Sequence, residues 1–309
     1  MTARSQRTIL LVPHTHRPGN ILAAVRATEL LSDAGIEVRL LKQRNEGPVM
    51  DEPVLQALER AEEGPEAAAG CELVLVLGGD GTFLRAATYA YAQDIPVLGI
   101  NLGHVGFLAE WEQESLDEAI GRVIEREYRV EDRMTIDVAL YDSEANLLGS
   151  GWALNEASVE NVDRTKVLDA TLEVDFRPVS SFGCDGVLLS TPTGSTAYAF
   201  AAGGPIMWPE VEALLVVPNN AHALFTTPLV VSPRSTVAVE SKSATGSANV
   251  VLDGFRSMMM PPGSRVEVIR GARPVRWVRL DEHPFTDRLV HKFKLPVKGW
   301  RGPASKNVD

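Results

Sequence analysis

The sequence predicts two domains of different class: an α/β domain with a parallel sheet over residues 1–128, and a β-rich domain over residues 129–284. Three observations carry this expectation. A length of 309 residues is long for one hydrophobic core. The first third alternates apolar runs with helical patterns, and its run at 73–77 is apolar without alternation, as in a strand buried on both faces. Beyond Glu127 the apolar runs become short and often alternating, separated by Gly, Pro, Ser and Asn, which is a strand-and-turn texture.

Ile9-Leu10-Leu11-Val12 reads as the first strand, ended by Pro13. Asn20 opens a helical pattern through Ile21, Ala24, Val25, Thr28 and Leu31, and Gly35 stops it. Residues 36–41 form the next strand, and residues 51–69 look helical with a break at Gly64-Pro65. Strand 73–77 runs through a glycine loop into an Ala-rich helix over 82–92, and 96–100 follows as a strand. That order favours a parallel sheet with right-handed crossovers. In the second domain, strands are expected at 134–140, 170–176, 235–240, 249–252, 265–269 and 275–280, with one helix at 196–202. Phe285, Leu289, Lys292 and Phe293 share a helical spacing, and the tail 285–300 is expected to pack back on the first domain.

Thirty basic and 41 acidic residues leave a net charge of −11, which disfavours nucleic acid and anionic membranes as partners, since both need a basic face. A small polyanion would instead be held by backbone amides, a helix N-terminus or a metal ion. Cys71 and Cys184 allow neither a disulfide framework nor a zinc spacing and fit free thiols in a reducing compartment. The apolar run after the N-terminus is too short for a signal peptide, and no stretch approaches the roughly 20 apolar residues of a membrane span. The expected location is cytoplasmic.

Gly78-Gly79-Asp80-Gly81-Thr82 follows strand 73–77 and precedes a helix. Glycines let the backbone turn sharply and approach a ligand, and amides at the helix start can hold phosphate oxygens. In parallel sheets ligands sit at the carboxyl ends of strands, where this loop falls. It is neither a P-loop, for want of the Gly-Lys-Ser/Thr ending, nor a dinucleotide fingerprint, because Leu84 stands where the third Gly is needed. A carboxylate repels phosphate, so Asp80 has another task. It can accept the proton of an attacking hydroxyl, help to hold Mg²⁺, or simply stabilise the turn or the helix N-terminus.

The run Asp185-Gly186-Val187-Leu188-Leu189-Ser190-Thr191-Pro192-Thr193-Gly194-Ser195-Thr196-Ala197-Tyr198 takes a strand into a loop of hydroxyls and then a helix. Its hydroxyls suit helix capping or a sugar and base edge, and Tyr198 is either a packed ring or a flat face for a base. His14-Thr15-His16 offers two histidines and no third ligand, so no metal site is read from the sequence. No catalytic Cys-His pair is read from Cys184, and Met258-Met259-Met260 reads as a packed strand end.

The loop 78–82 resembles the signature shared by NAD kinases, diacylglycerol and sphingosine kinases, and 6-phosphofructokinases, which implies phosphoryl transfer to a hydroxyl without choosing the acceptor. The run 185–198 resembles the NAD kinase family and not the lipid kinases. Asn101-Leu102-Gly103-His104-Val105-Gly106-Phe107-Leu108 is similar to that family's second motif, Asn155-Glu156 to its Asn-Glu or Asn-Asp pair, and Ala202-Gly203-Gly204-Pro205-Ile206 also fits. The likeness runs from about Leu73 to about Val231, with a weaker likeness to Gly299-Trp300. The resemblance implies a Rossmann-like first domain in an NAD kinase/diacylglycerol kinase-like fold. It also implies transfer from ATP, or polyphosphate, to the 2′-hydroxyl of the adenosine ribose of NAD, with Mg²⁺ accompanying the donor, and a homo-oligomer, dimer or tetramer.

Carried over by position, Asp80 is the proton acceptor beside the adenosine ribose, with Gly81 in contact, and Gly78, Gly79, Gly81 and Thr82 form the phosphate loop. Arg85 is a nucleotide contact, Asn155 and Glu156 bind adenosine and the second ribose, and Lys166 is a further contact. Asp185 holds the nicotinamide amide, and Thr196, Ala197, Tyr198, Ala199, Phe200 and Ala201 line the adenine pocket. The chain departs from the family pattern at Asn219-Asn220-Ala221-His222, at Thr227 before Pro228, and at Phe255, where Gln is common. A lipid or sugar kinase sharing the loop would usually carry a glutamate just after it, where this chain has Phe83, Leu84 and Arg85. A non-catalytic nucleotide-binding regulator would favour a neutral or basic residue at Asp80.

Overall fold

The computed structural model describes residues 6–43, 49, 51–101, 108, 116–162, 167–223, 226–242, 247–280 and 284–297. It divides into two units, Met1–Asp132 with Val275–Asp309, and Arg133–Pro274.

The first unit is built on a seven-stranded sheet in the order β3-β2-β1-β4-β5-β19-β6. Its strands are β1 (Thr8–Pro13), β2 (Glu37–Leu41), β3 (Glu59–Ala61), β4 (Leu73–Leu77), β5 (Val97–Ile100), β6 (Arg129–Arg133) and β19 (Val275–Arg279). Every residue of β1 and β4 is buried, as expected of parallel strands covered on both faces. Helices α1 (Pro18–Asp33) and α4 (Leu116–Glu125) bury Ala24, Leu31, Ile120 and Val123 against Ile9, Leu11, Leu75 and Ile100. Helix α3 (Asp80–Gln93) buries Phe83, Ala86, Ala87 and Ala90, and the Phe83 ring lies 5.0 Å from that of Trp277 on β19. Strand order reverses between β1 and β4, the crevice in which open α/β sheets bind ligands.

Two expectations are corrected here. Residues 51–69 hold only the short helix α2 (Pro53–Gln56), and then β3 pairs parallel with β2, with Leu41 opposite Ala61 and an Arg39–Glu59 ion pair of 3.2 Å. An open sheet edge therefore overrides the helical preference of this Ala- and Glu-rich stretch. Strand β19, placed by sequence in the second domain, pairs with β5 through Trp277 and Val97. With β6 it belongs to the first sheet, so the boundaries at 128/129 and 284/285 shift to 132/133 and 274/275. Helix α6 (Phe285–Phe293) forms where the spacing placed it, with no buried residue, and residues 298–300 of the tail lie outside the described residues.

The second unit stacks two antiparallel six-stranded sheets. One has the order β11-β10-β15-β18-β7-β8 and contains β7 (Ile136–Tyr141), β8 (Leu147–Ala153), β10 (Leu168–Val174), β11 (Arg177–Cys184), β15 (Val237–Ser241) and β18 (Arg265–Arg270). The other has the order β14-β13-β12-β9-β16-β17 and contains β9 (Glu156–Asn161), β12 (Gly186–Ser190), β13 (Leu214–Asn219), β14 (Leu229–Val231), β16 (Ala248–Leu252) and β17 (Arg256–Met260). Alternate residues of both sheets, such as Ile136, Val138 and Leu140 against Ala157, Val159 and Val250, form one core. On the outer face of the second sheet, Leu188, Leu215 and Val217 are covered by Met207 and by Ala199 of the short helix α5 (Tyr198–Ala201). Among the described residues no helix is long and apolar enough to cross a membrane.

Candidate functional site

In the first unit the glycine loop lies at the carboxyl end of β4, beside that of β1. The His14 N–H donates to Leu77 O at 2.8 Å and the Gly78 N–H to Ile100 O at 3.0 Å, which ties the loop to both neighbouring strands. Helix α3 begins at Asp80 rather than at Thr82. The first-turn amides of Asp80 and Gly81 therefore have no acceptor within the helix, the arrangement that suits an anion.

The reason for glycine differs from the sharp turn that the sequence suggests, because Gly78, Gly79 and Gly81 all avoid the left-handed region. A methyl group on Gly78 would come within 2.9 Å of Thr82 Oγ1 and 3.3 Å of His14 Cβ. At Gly79 and Gly81 it would project into open space, so these two leave the backbone bare to whatever approaches. Asp80 does not cap the helix. It is half-buried, and its Oδ1 accepts the Leu108 N–H at 3.1 Å. Arg85 is exposed, one helical turn beyond Gly81.

In the second unit Asn155 and Glu156 stand at the head of β9 and are buried. Their main chain is held on every side. Asn155 O accepts the Thr191 N–H at 2.9 Å and the Ser190 hydroxyl at 3.1 Å. Gly194 packs so closely that a Cβ there would lie 2.0 Å from Asn155 O. The Asp253 carboxylate accepts the N–H groups of Leu154 at 3.1 Å and Asn155 at 2.7 Å, and the Asp253 N–H returns a bond to Glu156 O at 2.9 Å. The two side chains are held less completely, although the Glu156 carboxylate accepts the Tyr198 N–H. Asn155 Oδ1 and Glu156 Oε2 are buried oxygens without a protein partner. Leaving such an atom unpaired costs about 1–3 kcal/mol, so a pair of them on one dipeptide points to a ligand carrying donors.

Burial pushes the Glu156 carboxyl up to about 8, the Asp253 charge adds to the shift, and the Tyr198 N–H opposes it. Burial also raises Asp253, against the pull of the backbone N–H groups and of Arg256. Asp253 sits on a tight hairpin turn with Gly254, both left-handed with φ of 51° and 75°. Arg256 Nη2 meets Asp253 Oδ2 at 2.7 Å, and its guanidinium lies 4.8 Å over the Trp152 ring and 5.0 Å from that of Phe255.

The remaining expected residues divide by exposure. Asp185 is exposed, and Asn220 Nδ2 donates to its Oδ2 at 2.8 Å. Tyr198 is exposed, with Asn219 Nδ2 at 3.4 Å from its hydroxyl, and Thr196 and Ala197 are half-buried. Phe200 and Ala201 are exposed, whereas Ala199 faces the core under α5. The loop hydroxyls are spent on the fold: Ser195 accepts from the Met207 N–H at 2.9 Å and donates to Pro192 O at 2.6 Å, and no side chain caps α5. The helix expected over 196–202 shrinks to α5 behind a 3-10 turn at Gly194–Thr196. Lys166 and residues 102–107 lie outside the described residues. Cys184 is buried, its thiol pushed up to about 12 by burial, which leaves it inert as a nucleophile. Among the described residues no three His, Cys, Asp or Glu side chains group as metal ligands.

Sequence reasoning missed His14 beside the loop, Gly194 against Asn155, and the group of Asp253, Arg256 and Trp152. Only the Asp253-Gly254 pair carried a local signal.

Comparison with known proteins bears on the same residues. The model of the ATP-NAD kinase N-terminal domain matches residues 9–128, and that of the ATP-NAD kinase C-terminal domain matches residues 154–280. A protein of Corynebacterium efficiens named NAD kinase is 68% identical over 98% of this chain and 95% of its own length. One of Rhodococcus opacus, also named NAD kinase, is 58% identical over 96% of each. Among solved structures, yeast NADH kinase complexed with NADH matches with a TM-score of 0.84 at 21% identity, over 99% of this chain and 91% of that one. An NAD kinase from Archaeoglobus fulgidus in complex with ATP matches with a TM-score of 0.69 at 25% identity, over 94% and 98%. The glycine loop with Asp80 and the Asn155-Glu156 dipeptide both fall within the matched stretches, and the chain belongs to the NAD kinase family.

Proposed function

We propose that this chain makes NADP, transferring a phosphoryl group from ATP to the 2′-hydroxyl of the adenosine ribose of NAD, with Asp80 as the proton acceptor. The ribose oxygen forms a bond to the γ-phosphorus, the bond from that phosphorus to the bridging oxygen breaks, ADP leaves, and the hydroxyl proton passes to the Asp80 carboxylate. The observation that carries the reading is the placement of Asp80 at the strand-order reversal, in the first turn of α3 and beside two glycines with open space above them. The uncrowded backbone at Gly79 and Gly81, at the start of α3, suits the donor phosphates, and Arg85 suits a phosphate of either nucleotide. Asn155 and Glu156 offer their unpaired oxygens to the NAD hydroxyls and amino group. Tyr198 supplies a face for adenine, Asp185 an acceptor for the carboxamide, and Lys166 a further cationic contact.

A divalent cation, read as Mg²⁺, would arrive with ATP and neutralise charge on the phosphates. Mg²⁺ carried by phosphate oxygens and water needs no dedicated cage of protein carboxylates. Free Cys71 and Cys184 favour a cytoplasmic setting. A homo-oligomer is supported by the unpaired edge strands β8 and β17, which expose Leu147, Leu148 and Met259.

The test is a coupled assay with an NADP-specific dehydrogenase, run with NAD and ATP-Mg²⁺ and, in parallel, with polyphosphate as donor. Steady NADP formation with ATP is expected. Absence of NADP with every donor overturns the reading.

A further inference from the structure

We infer that Arg256 is a positioning residue for NAD: it holds the Asp253 carboxylate as the anchor that sets the Asn155-Glu156 dipeptide. This rests on the reading above, in which that dipeptide contacts NAD.

The argument starts from the turn. Asp253 and Gly254 both adopt left-handed backbone, and a non-glycine residue enters that region at a cost that something nearby must offset. Asp253 is 5% exposed, and its carboxylate is spent on the backbone N–H groups of Leu154, Asn155 and Glu156 and on Arg256 Nη2. These N–H groups are the main chain entering β9. The register Leu252 to Ala157 brings β16 alongside, so the turn after β16 falls beside the residues before β9. The anchor therefore acts on the two residues whose side-chain oxygens are buried and unpaired.

A buried carboxylate with only neutral backbone donors still lacks a counter-charge, and Arg256 supplies it at 2.7 Å. The guanidinium is itself held in place, lying over Trp152 at the end of β8 and against Phe255. Its flat cationic face suits both rings, whereas a neutral side chain suits neither the rings nor the acid.

The experiment compares R256Q, R256K and N155A in the full-length enzyme, with kcat and both KM values measured on preparations whose folded fraction is known from melting. R256Q removes the charge and is expected to raise KM for NAD at least tenfold, with kcat and KM for ATP within about threefold of the parent. R256K restores the charge without the flat face, and KM for NAD returns to within about threefold. A merely structural Arg256 would lower the active fraction, hence kcat, and leave KM unmoved. That outcome, or a parental KM for NAD in folded R256Q, overturns the proposal. Should R256Q fail to fold, W152A withdraws the ring that holds the guanidinium; a KM for NAD raised at least tenfold supports the clamp, and one within about threefold of the parent overturns it. N155A separates the two claims. A raised KM in N155A with a parental KM in R256Q keeps the site and removes the clamp. A parental KM in N155A with a raised KM in R256Q removes the Asn155 contact and keeps the clamp, acting through Glu156.

Discussion

The Leu108 N–H donates to Oδ1 of Asp80 at 3.1 Å, so one oxygen of the proposed proton acceptor ties down Leu108. A structural role and a chemical role thus share one carboxylate, and D80N separates them. The amide oxygen of asparagine can still accept the Leu108 N–H, so melting temperature and NAD affinity should stay near those of the parent. The charge that draws off the ribose proton is gone, and turnover should fall by about 10²–10⁴-fold, the usual span for a general base. Calorimetry and the coupled assay on one preparation decide it; near-normal turnover in D80N would end the assignment.

Tyr198→Ala should act on binding. The ring is exposed beside Asn219 and cannot take the ribose proton. Loss of a stacked face costs roughly 1–3 kcal/mol, which should raise KM for NAD with kcat little changed. A large fall in kcat at parental KM would contradict the role.

Gly194→Ala should be severe. The added methyl would meet Asn155 O at 2.0 Å, and that carbonyl is already held by Thr191 and Ser190. Overpacking against main chain should cost about 3 kcal/mol, the upper end for a single added methyl. Thermal melting measures it, and a G194A protein as stable as the parent would refute the packing described.

Stability should depend on pH through Glu156. Its folded value near 8 lies above the ordinary carboxyl value of 4.5, because burial and the Asp253 charge disfavour the anion. From 4.5 to about 8 the folded protein holds a proton that the unfolded chain has released. This contribution is full below 4.5 and is lost as pH rises to about 8, at about 1.4 kcal/mol per unit of separation. E156Q imitates the protonated acid, so its melting temperature should vary less between pH 5 and 8 and exceed that of the parent near pH 8. Parallel curves for the two proteins would remove the assignment.

Removal of divalent metal should abolish transfer. The chain carries a net charge of −11 and a carboxylate in its phosphate loop, so it has little with which to neutralise a triphosphate alone. With ATP in excess EDTA the rate should fall at least about 10²-fold, the scale of losing one electrostatic contact to the transition state. Added Mg²⁺ should restore it, and full activity in EDTA would count against the mechanism.

Local pattern reveals much of this architecture. The unbroken apolar β4, the alternation of Ile136, Val138 and Leu140, and the stop of α1 at the left-handed Gly35 all follow from local sequence. What escapes notice is encoded between distant residues. Strand β8 is disguised by Gly149 and Gly151, which are small because Met258 and Leu252 lie against them. Strand β3 hides in Ala- and Glu-rich sequence because only the edge of β2 makes it a strand. In the site, Asp80 and Asn155-Glu156 stand in short recognisable motifs. The reach of Asp253 to Leu154 and Asn155 does not, because the turn that supplies the carboxylate is far along the chain.

The place of β19 bears on how the protein is born. It lies between β5 and β6 in the first sheet, yet the ribosome makes it after the whole of Arg133–Pro274. At about 5–20 residues per second that interval lasts roughly 7–28 s. During it the nascent first unit holds β5 without β19 on its outer side and Phe83 without Trp277. The second unit emerges complete while the first still waits for its last strand, and an open apolar sheet edge of that lifetime is what a chaperone would be expected to cover.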